Sequence, residues 1–237
     1  MRNITLIFSV LALSSCINIG ANFKLTKGDI EERTIIIPEG ATALVTSHGA
    51  DVTVDYSLRP NEVRVKTHSD MFDILKVEVE DSTLSIGTKQ NSLYAKTFEV
   101  RIPALAYNDI ATLGGSDLSW CNCTAENLTI TASGGSDVEL NGGIFNTLSI
   151  TTSGGADVEI KGQCTDLSVT ASGGTDTDLS ELFAEKASIS ASGGSDVSVN
   201  ASKSLTIDAS NGADVYYSGM PTTTNINTSG GASIHRE

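Results

Sequence analysis

The sequence predicts an all-β chain wound into a right-handed parallel β-helix with coils of about 20 residues, and three observations carry that reading. A Gly-Gly-Ser-Asp tract recurs through the C-terminal two thirds, placing aspartates at Asp117, Asp137, Asp157, Asp176, Asp196 and Asp214, in steps of 20, 20, 19, 20 and 18 residues. A fixed period near twenty is the mark of stacked units that each bury their neighbour. Between the tracts, apolar and polar residues alternate with the period of a strand that has one buried face. Each tract carries residues suited to a sharp corner: Gly134-Gly135, Gly154-Gly155, Gly173-Gly174, Gly193-Gly194 and Asn211-Gly212. Glycine supplies positive φ without strain, and asparagine tolerates it better than most.

Met1-Arg2-Asn3 is followed by an apolar run from Ile4 to Leu13 and then by Ser14-Ser15-Cys16. A basic start, an apolar stretch too short to span a bilayer and small residues before a cysteine read as a lipoprotein signal. Residues 1–15 are therefore expected to be the signal, Cys16 the lipidated residue, and 16–30 a tether to one domain over 31–237. The membrane is contacted through that anchor alone. Loss of Arg2 with the leader takes a formal charge of −14 to about −15. Such a balance argues against nucleic acid and against adsorption on anionic headgroups.

Residues from about 31 to 105 are strand-like but irregular, with segments Thr34–Ile37, Asp51–Val54, Glu62–Val65, Leu75–Val79, Thr83–Ile86 and Phe98–Pro103. Ser47-His48-Gly49-Ala50-Asp51-Val52 is a degenerate corner, so the coil is expected to begin early, with insertions. Regular repeats start at about residue 112. In them Val138 and Leu140, Val158 and Ile160, Val197 and Val199, and Val215 and Tyr217 are expected to form one inward stack. Leu128 and Ile130, Leu148 and Ile150, Leu167 and Val169, Ala187 and Ile189, and Leu205 and Ile207 are expected to form the other. About twenty residues at roughly 3.3 Å each enclose a perimeter of about 65 Å, enough for two or three short strands around an apolar core. Parallel crossovers are nearly always right-handed, which sets the expected hand. Ser229-Gly230-Gly231-Ala232-Ser233-Ile234 closes the series, with Ser where Asp is expected.

Cys121, Cys123 and Cys164 remain after the leader. Rung spacing puts Cys164 too far from the other two for a disulfide, so all three are expected to be unpaired, Cys123 and Cys164 buried. A lone Cys-x-Cys lacks the second ligand pair a zinc site needs.

Stacking turns each repeated outward position into a file. Asp137 and Glu139, Asp157 and Glu159, and Asp176 and Asp178 would make an acidic face, in which carboxylates about 4.8 Å apart repel. Two explanations are open. Each Asp accepts hydrogen bonds from the N–H groups of its own corner, or neighbouring carboxylates share a hard divalent cation, calcium. A second face carries Thr129 and Thr131, Ser149 and Thr151, and Ser168 and Thr170. It is either a solvated sheet face that favours threonine or a polar lattice that binds an extended ligand. No cofactor is otherwise implied.

In order along the chain, Ile37-Pro38-Glu39-Gly40, His48-Gly49-Ala50-Asp51-Val52, Val77-Glu78-Val79-Glu80-Asp81-Ser82-Thr83-Leu84-Ser85-Ile86, Phe98-Glu99-Val100-Arg101-Ile102-Pro103 and Gly114-Gly115-Ser116-Asp117 lead into the repeats. That series resembles the auto-transporter adhesin head GIN domain family, a family of unknown function widespread in secreted and lipid-anchored proteins of Bacteroidetes. The resemblance runs from about residue 30 to the end. It implies a β-helical fold and a cell-envelope setting, and it implies no catalytic residues. The expectation is a non-catalytic lipoprotein of the outer membrane, an adhesin or binding module for a glycan or protein on the cell envelope or a host surface. The competing class is a polysaccharide-processing enzyme on a β-helix, which would need an unrepeated cluster of acids or bases in a groove.

Overall fold

The structure, a computed structural model, describes residues 24–26, 28–89, 93–94 and 96–237; Cys16 and the signal lie outside them. Among the described residues the regular elements are all strands apart from one short 3-10 turn, Ser69–Met71, and the chain winds as a parallel β-solenoid. Successive coils pair like on like: Leu128 faces Leu148, then Leu167, Ala187 and Leu205, and Ile130 faces Ile150, Val169, Ile189 and Ile207. Both expected stacks are buried through the repeats, Tyr217 being only partly so. One apolar core cluster runs from Ile37 to Val215. Removing a buried side chain such as Leu148 would cost about 2–5 kcal/mol, because a solenoid core collapses poorly around a gap.

The corners behave as the glycine pattern requires. Asn211 sits at φ 53° and Gly212 at 79°, so asparagine takes the left-handed position where the other copies have glycine. The residue after the corner pair points inward in the coils from Ala50 to Ala213. Ser116, Ser136, Thr175 and Ser195 are buried in one file with Ala50, Ala156 and Ala213. Their hydroxyls tie the corner across the core: Ser136 Oγ donates to the Thr112 carbonyl at 2.9 Å, and Ser116 Oγ accepts from the Ala50 N–H at 3.2 Å. The serine of the tract is thus a core residue, and the aspartate after it faces out.

At the N-terminal end the simple rule that each coil stacks on the one before it fails. Strand Asp51–Asp55 lies between Phe98–Pro103 and Asp117–Cys121, and strand Ala43–Thr46 lies between Thr83–Thr88 and Asp109–Leu113. The coil made by residues 83–103 is therefore laid outside the one made by 43–55, and the chain then crosses back to continue. Antiparallel strands end the stack. Leu75–Glu80 pairs with Thr83–Thr88, while Glu62–His68 pairs with both Phe98–Pro103 and Ile30–Ile36. The two outermost strands carry Glu31, Glu32 and Arg33 or Lys76, Glu78 and Glu80. Charge at such an edge discourages pairing with another chain. His68 ends strand Glu62–His68, with Nδ1 2.7 Å from the Gly28 carbonyl.

Gly173 and Gly174 look equivalent in sequence but differ in space. At Gly173, φ is +87° and an added Cβ would lie 3.1 Å from the Gly154 nitrogen; at Gly174, φ is outside the left-handed region and an added Cβ meets nothing within 4 Å. Gly173→Ala is expected to cost about 1–2 kcal/mol, whereas Gly174→Ala is neutral or stabilising by up to about 1 kcal/mol. Urea midpoints of the two variants check this, and equal losses would show that the corner does not discriminate between them.

Candidate functional site

The acidic file forms, and it is longer than the repeats alone indicate. Glu99, Asp51, Asp117, Asp137, Asp157, Asp176, Asp196 and Asp214 are register partners in turn, with Glu139, Glu159 and Asp178 in the adjacent file. Glu99 escapes the sequence pattern because it follows no glycine corner and joins only through the out-of-order coil. Lys66 closes that end with Nζ 2.9 Å from Glu99.

A bond at the file crosses between coils, the Asp137 N–H donating to Asp117 Oδ1 at 3.3 Å, where the first of the two explanations would have a bond within one corner. Partial burial is the main influence on the file. It raises the carboxyls of Asp51, Asp117, Asp137 and Asp176 above the usual range. Neighbouring carboxylates add to the rise: Glu99 on Asp51, Asp51 on Asp117, Asp117 and Asp157 on Asp137, and Asp157, Asp196 and Asp178 on Asp176. Among the described residues no three His, Cys, Asp or Glu side chains converge as a cation site. A cation shared here would rest on pairs from adjacent rungs, against the six to eight oxygens that calcium prefers.

The hydroxyl face also forms. Thr129, Ser149, Ser168, Ser188 and Thr206 make one file, and Thr131, Thr151, Thr170, Ser190 and Asp208 the next. All of these residues are at least partly exposed, and the surface is flat and regular.

The three cysteines among the described residues are free, Cys123 and Cys164 buried and Cys121 exposed. Burial pushes the thiols of Cys123 and Cys164 up to about 12 and about 11, so neither is a ready nucleophile. Trp120 is buried, its Nε1 donating to the Tyr56 hydroxyl at 3.0 Å while Tyr107 meets it edge-on. Tyr216 stacks on His235 with ring centroids 5.0 Å apart.

The third side of each coil is where the repeats lose regularity. Register shifts fall between Leu140 and Gly143, Glu159 and Gly162, and Leu179 and Phe183. Ile144 and Phe183 stand outward there, 57% and 62% exposed, over a groove of about 310 Å³. Sequence reasoning missed this place because it followed only what repeats; the unrepeated apolar residues at 144 and 183 were the available signal.

The sequence profile of the family described as "Putative auto-transporter adhesin, head GIN domain" matches residues 42–221. The chain belongs to that family. Solved structures support the head GIN fold. An adhesin from Bacteroides fragilis aligns with a TM-score of 0.83 at 19% identity, over 90% of this chain and 100% of that one. A lipid binding protein from Parabacteroides distasonis aligns at 0.70 and 19%, over 90% and 99%. An adhesin from Parabacteroides merdae aligns at 0.68 and 12%, over 92% and 100%. All three structures carry their functional names as provisional ones, and at these identities they establish the fold alone. No curated protein matches the chain.

Raised carboxyls bind protons more tightly in the folded head GIN domain than in the unfolded chain. Their burden on stability is therefore full above the folded pKa and disappears as pH falls below the unfolded value of about 4. Asp55, held down by Ser57, and Glu62, held down chiefly by Arg64, act with the opposite sign. A difference measurement separates the two: Asp176→Asn is expected to raise the urea midpoint at pH 7, less so in 1 M salt, and to give no gain below about pH 4. A gain that persists at low pH would show that charge in the file is not its cause.

Proposed function

We propose that the chain is a non-catalytic, lipid-anchored binding module of the outer membrane, with a glycan or protein of the cell envelope or of a host surface as its ligand. The observation that carries this reading is the repetition itself. The carboxylates and hydroxyls that stand outward through the repeats lie in files running from coil to coil, and files suit adhesion along an extended partner better than chemistry at one point. Membership in an adhesin-named family supports the same reading, as do the names of the structural neighbours. The name of the Parabacteroides distasonis neighbour adds lipid to the ligand classes worth including.

The anchor is tested at Cys16. Cys16→Ser is expected to abolish incorporation of labelled palmitate and to move the protein from the membrane to the soluble fraction; unchanged membrane retention would remove the anchor from the proposal. Protease shaving of intact cells then distinguishes surface from periplasmic display. Release of reducing ends from a panel of acidic glycans would replace binding with catalysis.

A further inference from the structure

We propose that the groove on the third side of the solenoid is the ligand site, and that it takes an uncharged pyranose chain lying along the solenoid axis. The inference deepens the binding-module reading and rests on it. Ile144, Gln163 and Phe183 are register partners on three successive coils, so the two apolar side chains stand about 10 Å apart with an amide between them. That span matches a disaccharide. The groove holds about 310 Å³ and is floored by buried Cys164 and Ala184, a volume at the lower end of ordinary small-ligand sites. Phe183 supplies a flat exposed ring, and aromatic anchors of this kind dominate recognition.

Two further features choose the ligand class. The side chains of Gln163 and Thr165 line the groove and make no hydrogen bond to any described residue. An acyl chain would leave both unused; a pyranose presents an apolar C–H face to Phe183 and hydroxyls to Gln163 and Thr165. Charge decides the rest. The three lysines after residue 109 all lie around this side, where they neutralise its acids: Lys161 with Glu159 and Glu181 at 2.9 Å each, Lys186 with Asp166 at 2.9 Å, and Lys203 with Glu185 at 2.6 Å. Elsewhere the repeats carry unbalanced carboxylates. With all three lysines held by four acids, the rim offers an anionic ligand no unengaged cation and suits a neutral one.

The test is retention of the full-length protein in detergent on immobilised neutral glycans (β-glucan, xylan, mannan and galactan oligosaccharides). Polygalacturonate, phosphatidylethanolamine vesicles and a panel of matrix proteins run in parallel. At least one neutral glycan is expected to bind. Phe183→Ala should weaken that binding about tenfold or more, and Phe183→Tyr should preserve it. Phe183 is mostly exposed, so its removal spares the core; equal urea midpoints confirm this. Full binding by Phe183→Ala overturns the groove while leaving the binding module in place. Binding confined to polygalacturonate, vesicles or protein overturns the neutral sugar. Binding to nothing overturns both readings.

Discussion

Everything in this molecule depends on parallel strands held in fixed register from coil to coil. Parallel pairing without slippage places each residue against its counterpart about 4.8 Å away. Whatever a position contributes is then multiplied along the axis. For Leu128, Leu148, Leu167 and Leu205 the multiplication is favourable, since each leucine fills the space its neighbour leaves. The same rule makes the corners strict. Gly154 can approach Gly134 and Gly173 can approach Gly154 because no Cβ intervenes, and one bulky corner would push a whole coil off its neighbour.

The rule is unfavourable where a charge repeats. No geometry consistent with the register lets Asp117, Asp137, Asp157, Asp176, Asp196 and Asp214 avoid one another, and burial of the file adds to the repulsion. The molecule answers in part: Asp117 takes an N–H from the next coil, and Lys66 neutralises the Glu99 end. These contacts are concentrated at the N-terminal end of the file. From Asp157 onward no lysine or arginine faces the aspartates in an ion pair among the described residues, so the file remains a strip of negative potential along one side. Such a strip excludes anionic partners from that side whether or not it binds cationic ones.

Because the fold is periodic, the periodic part of it was open to reading from the sequence. The two apolar stacks, the glycine corners with Asn211 among them, the acidic and hydroxyl files and the three free cysteines all follow from a twenty-residue period combined with alternation. What escaped was what breaks the period. The coil formed by residues 83–103 lies outside the coil formed by 43–55, a pairing between segments some 50 residues apart that no local pattern encodes. The burial of Ser116, Ser136 and Ser195 escaped for another reason. A small hydroxyl beside a tight corner can reach a backbone carbonyl of the preceding coil, a bond that offsets its desolvation and that no hydropathy pattern encodes.

The same contrast bears on function. A surface that repeats can be explained by the fold that repeats it: threonine favours strands, and any outward position in a solenoid becomes a file whether or not a ligand uses it. The regularity of the hydroxyl face therefore comes from the fold and does not by itself select a ligand. The third side is different. Ile144 and Phe183 replace polar residues found at the same file position in neighbouring coils, Thr124, Gln163 and Asn200. Neither is needed by the core, which Phe145, Cys164, Ala184 and Ala201 already fill one position further along. Large apolar side chains held in water contribute little to folding, and they raise the risk of aggregation. Placed two coils apart around an amide, with every nearby lysine engaged in neutralising their surroundings, they form a local feature that the solenoid does not require, and recognition of a partner accounts for it.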